Sequence, residues 1–144
     1  MNMTIKSLTA VLLLLATVAV YAHGSDEKKH HNTARLYFIT PADGDVVDGE
    51  FEVRFGLSGM GVAPAGVDAE NTGHHHILID VDEMPDMNLP LPKSDQVRHF
   101  GGGQTETLLK LSPGTHTLQL VLGNYSHIPH KPAVMSEKIT ITVE

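Results

Sequence analysis

Apolar and polar positions alternate with a period of two through much of the chain after residue 34. Phe51, Val53, Phe55 and Leu57 are interleaved with Glu52, Arg54 and Gly56, the pattern of a strand with one buried and one wet face. Residues 36–39 predict a short strand that ends at Pro41. In a further predicted strand His75, Ile77, Ile79 and Val81 share one face, and His74, His76, Leu78 and Asp80 the other. Residues 105–111 predict another. Ser112-Pro113-Gly114 then turns the chain into 115–122, whose inner face reads His116, Leu118, Leu120 and Leu122. Ile139, Ile141 and Val143 alternate in the last strand. Asp43-Gly44-Asp45 and Asp48-Gly49 mark turns, and 58–72 and 123–134 read as loops. Pro85, Pro90 and Pro92 disfavour regular sheet over 82–98. No stretch after residue 34 carries a helical stripe. About six or seven short strands separated by Gly and Pro predict an all-β, immunoglobulin-like β-sandwich over 35–144.

The start of the chain has a different pattern. Lys6 precedes an apolar run over 8–20, and Val20-Tyr21-Ala22 is a small-residue cleavage site. This reads as a secretory signal peptide over 1–22, shorter than the roughly 20 apolar residues of a membrane span. Residues 23–34 are polar and aperiodic and read as a flexible leader. The residues left after the signal, 23–144, suffice for one domain with a real core and are too few for two.

Composition narrows the chemistry. The net charge is −7, and loss of Lys6 with the signal makes it more negative, which disfavours nucleic acid and anionic membrane as partners. There is no cysteine, so disulfides, thiolate ligands and lipoprotein acylation are excluded. Histidine is abundant: of the ten in the chain, seven lie between His74 and His130.

Imidazole is the commonest protein ligand for zinc, copper and nickel. On a strand, His74 and His76 point to one side, about 7 Å apart at their Cα atoms from a rise of roughly 3.3 Å per residue, while His75 shares the core face. The H-x-H pair thus suits one ion. Ser126-His127-Ile128-Pro129-His130 offers a second close pair, stiffened by proline. The candidate ligand set is His74, His76, His127 and His130, with His116 or His99 as replacement. Asp80 and Glu106 are candidate acceptors for the far N–H groups of ligating imidazoles. His75 and His116 also admit a structural reading, each bonding a loop carbonyl and capping the core. His23 would become the mature N-terminus after cleavage at Ala22, where its amine and imidazole suit copper. Met84 and Met87 form an M-x-x-M pair acceptable to Cu(I), although loop methionines commonly fill gaps. Phe100-Gly101-Gly102-Gly103-Gln104 lacks the Gly-Lys-Ser/Thr of a phosphate loop and reads as a chain reversal.

The segments TGHHHILIDVDEMP, RHFGGGQTETLLKLSPGTHTLQLVLGN and HIPHKPAVMSEKITITV resemble a bacterial family known as domain of unknown function 4399, over most of 35–144. The resemblance implies a small exported single-domain protein and supplies neither reaction nor ligand. With the signal peptide, it points to the periplasm of a Gram-negative bacterium, with no membrane association after cleavage. The expected function is metal binding, copper first and zinc second, for storage, delivery or protection. The alternative is a non-catalytic envelope interaction module with structural histidines and a periplasmic protein partner. No sequence feature demands catalysis.

Overall fold

The computed structural model describes residues 33–144. The signal peptide over 1–22, most of the leader, and His23, His30 and His31 lie outside them. Among the described residues every element is a strand: β1 Arg35–Thr40, β2 Val46–Val47, β3 Glu50–Ser58, β4 Gly61–Val62, β5 Thr72–Ile79, β6 Val97–His99, β7 Glu106–Lys110, β8 Gly114–Gly123 and β9 Ile139–Val143. The six longer strands are those read from the alternation. The three short ones are additions.

One sheet has the order β1-β3-β7, and the other β2-β9-β8-β5-β4, with β6 also paired to β5. The two sheets form the immunoglobulin-like β-sandwich. Leu36, Phe51, Val53 and Phe55 from the first meet Ile77, Ile79, Leu118, Leu120, Leu122, Ile139, Ile141 and Val143 from the second in one buried cluster. β3 buries every second residue from Phe51 to Phe55, as its sequence requires.

β5 departs from that rule, for Gly73 to Ile79 are all buried. The physical reason lies in the proline-rich stretch. After Asp80 the chain folds back over the outer face of the large sheet. A second apolar cluster of Leu78, Leu91, Val97 and Val121, with Val81, Met87 and Met135 packed against it, fills the space beneath. The stretch then rejoins the sheet, for Ile79 N–H donates to Gln96 O at 2.8 Å, and β6 pairs antiparallel with β5, His76 opposite His99 and Leu78 opposite Val97. The expectation of irregular chain to residue 98 therefore ends two residues late. Met87 is a gap-filler in this cluster, while Met84 is exposed.

Candidate metal centre

The buried outer face of β5 is where the histidines gather. His74 and His76 share that face, as their parity requires. β6 places His99 opposite His76, and His74 stands opposite Gly123 at the end of β8. The loop after β8 supplies His127. Asn124 shapes that loop: its Oδ1 accepts from Ser126 N–H at 2.9 Å and Ile128 N–H at 3.1 Å, and its carbonyl accepts from His127 N–H at 2.9 Å. His127 is held at φ 66°, an uncommon conformation outside glycine. Its carbonyl accepts from Leu91 N–H at 3.0 Å, tying the loop to the covering segment.

Four imidazoles result, each offering one nitrogen, with all four nitrogens within 4.8 Å of one another. Every pair of rings is in contact, with centroids from 4.5 Å for His99 and His127 to 6.0 Å for His76 and His127. His74 Nε2 and His127 Nδ1 lie 2.9 Å apart, a hydrogen bond whose donor depends on the tautomers. A zinc or copper ion with Zn–N-like bonds of roughly 2.0–2.1 Å needs ligand nitrogens about 3–4 Å apart, so to hold one the wider pairs would close in and the His74–His127 pair would open slightly.

Glycines make room for the rings. A Cβ on Gly123 would stand 2.7 Å from His76 Cε1 and 3.3 Å from His127 Cα, and one on Gly101 would overlap the His99 ring. The sequence pattern reads Gly101 as part of a reversal and does not connect Gly123 with the site. Both signals lie in long-range contacts, which strand parity does not show.

Burial controls the protonation of these rings. His74 and His76 are 0% and 1% exposed. Desolvation, then the neighbouring histidines, lower His74 from 6.5 to about 4 and His76 from 6.5 to about 3. His99, an exposed residue, is lowered by partial desolvation, by His127 and by Lys93. At neutral pH His74, His76 and His99 are thus neutral imidazoles, the form that binds metals. Nδ1 of His74 and Nδ1 of His76 are buried without a hydrogen-bond partner, an arrangement that costs stability unless something supplies one.

The remaining candidates stand elsewhere. His116 is outside the group, contrary to its place among the replacement ligands, because both its nitrogens are engaged. Nδ1 bonds Asp80 Oδ2 at 2.7 Å and Nε2 bonds Ser112 O at 2.8 Å, and the Asp80 carboxylate raises its pKa. Asp80 therefore serves His116 rather than a cluster ring, and Glu106 pairs with Arg54 at 3.7 Å. His130 borders the cluster without joining it; its Nε2 is buried without a hydrogen bond, 2.9 Å from where a Cβ of Gly73 would be. His75 turns to the core, its ring centroid 4.6 Å from that of Phe55. Desolvation lowers it to about 4, opposed by the Gln104 backbone. Of the expected first set, the structure brings together His74, His76 and His127, and replaces His130 with His99.

The family described as "Domain of unknown function (DUF4399)" matches residues 53–144, in line with the resemblance read from the sequence. No curated protein matches the chain. Among solved structures, an endo-beta-1,4-mannanase from Thermotoga petrophila is similar at 19% identity and TM-score 0.46, covering 81% of this chain and 21% of its own. The Clostridium thermocellum CbhA fibronectin(III)-like modules are similar at 10% identity and TM-score 0.41, covering 78% and 46%. The PKD domain from human KIAA0319 is similar at 16% identity and TM-score 0.39, covering 84% and 92%. The chain thus spans less than half the length of the first two.

Proposed function

We propose that this chain, which belongs to the DUF4399 family, is a periplasmic metal-binding protein that holds one copper or zinc ion for storage, delivery or protection. The observation that carries the reading is the four-imidazole cluster with its nitrogens within 4.8 Å. Three further features support it. His74, His76 and His99 have lowered pKa values, the rings of all four histidines lie in mutual contact, and glycines clear space for the rings. Copper stands first because Cu(II) heads the affinity order for nitrogen sites, and zinc second. The fold and the ligand set require no catalysis.

In the alternative, an envelope interaction module, the histidines are structural. Packing then has to account for the unpartnered nitrogens of His74 and His76, as it does for both ring nitrogens of His75 in the core.

Metal content of the untagged protein, matured in the periplasm and challenged with equal copper and zinc before dialysis, tests the reading. The expected result is one retained equivalent, lost in the His74→Ala/His76→Ala double variant and kept in His116→Ala. Absence of retained metal in the wild type would overturn the reading in favour of the interaction module. Recovery of the protein from the cytoplasmic fraction would overturn the proposed compartment.

A further inference from the structure

On the proposed metal site, the charge balance has a consequence. Four imidazole ligands bring no negative charge and leave a divalent ion with its full charge. No carboxylate belongs to the cluster among the described residues, and Asp80, which follows β5, is engaged by His116 and Thr117 N–H. Lys93 adds positive charge at the same place. It lines a recess of about 110 Å³ together with His76, Leu91, Pro92, His99 and His127, so three of the four imidazoles border an opening. That volume admits a ligand of only a few non-hydrogen atoms. Lys93 and His99 also border a larger groove of about 490 Å³ between β6 and β7, with Arg98 and Lys110 on its walls and no acid among its lining residues. In a chain of net charge −7 this is a local basic approach to the cluster, and such a field concentrates anions.

We propose that the recess is a binding position for a small anion that ligates the metal and is held by Lys93. The occupant's class is an anion of a few atoms with a nitrogen or oxygen donor, such as azide, formate or bicarbonate. It occupies the side of the metal facing the recess, where it offsets the uncompensated charge. The groove lined by Lys93, Arg98 and Lys110 steers anions toward this opening. The inference rests on the metal reading and adds that the bound ion is open to exogenous ligands.

The test is titration of the copper-loaded, untagged protein with sodium azide, monitored by the azide-to-copper charge-transfer absorption; if the protein selects zinc, cobalt(II) replaces it as the spectroscopic ion. A saturable new band is expected. In Lys93→Ala, azide affinity should fall roughly two- to fivefold, the upper range of an exposed charge pair, with the metal equivalent retained and affinity restored in Lys93→Arg. Metal retention without any azide response overturns the inference and leaves the metal reading intact, as does equal azide affinity in wild type and Lys93→Ala. Failure of the wild type to retain either metal overturns both.

Discussion

His74 and His76 are the residues whose chemistry is most altered by where they sit. Free imidazole titrates near 6.5, whereas burial takes His74 to about 4 and His76 to about 3. In the unfolded chain these rings take up protons below about pH 6.5, while in the folded protein they resist doing so until pH nears those lower values. The unfolded state therefore binds more protons in that window, and stability falls as pH falls. His75, lowered to about 4 in the core, acts in the same direction. His116 acts oppositely: its raised pKa contributes stability that is present below the unfolded value and lost as pH rises through the folded one. Its partner Asp80 has a side chain 42% exposed, so solvent screening keeps that contribution small. The expected outcome is a metal-free protein whose unfolding free energy, from urea titrations, drops steadily from pH 7 to pH 4, by about 1.4 kcal/mol per pH unit for each additional proton on the unfolded chain. A flat profile would contradict the burial of the three rings. The side of the strand on which each ring stands was legible, because parity alone separates His74 and His76 from His75. Their loss of solvent was not, because the cover comes from residues far along the chain.

Among the elements, β5 and its cover carry the most consequence. Alternation identified β3, β8 and β9 among the six longer strands, since each shows an apolar face to a single core. β5 reads like them in sequence, yet its outer face meets Leu91 and Val97 from the proline-rich stretch. Prolines correctly marked that stretch as irregular, but they say nothing about where it goes. For this reason His99 was a reserve ligand in the sequence and is a full member of the cluster in the structure. The end of β8 is equally specific. Gly123→Ala places a Cβ 2.7 Å from His76 Cε1, and overpacking of this kind costs about 1–3 kcal/mol. Its expected effects are a lower urea midpoint and weaker metal retention. Gly49→Ala, where the nearest atoms stand at 4.0 Å, serves as the control and should stay within about 0.5 kcal/mol of wild type.

At the scale of the whole molecule, the sandwich supplies a rigid frame and the site is built on its outside. The main core, from Leu36 to Val143, is complete without any histidine of the cluster. Loss of the metal should therefore leave the sandwich folded. Class and architecture were readable from six alternating strands, while the position of the site depends on the covering segment and on the loop held by Asn124. The four rings come from three stretches of chain, β5, β6 and the loop after β8. One ion bound to all of them would be a cross-link. Exported proteins commonly obtain cross-links from disulfides, and this chain has no cysteine with which to make one. Its clasp would instead be opened by a chelator. Limited proteolysis should then cut the 80–96 segment quickly in EDTA and slowly in the metal-loaded protein. On this view, tethering of that segment depends on the supply of free metal rather than on disulfide formation.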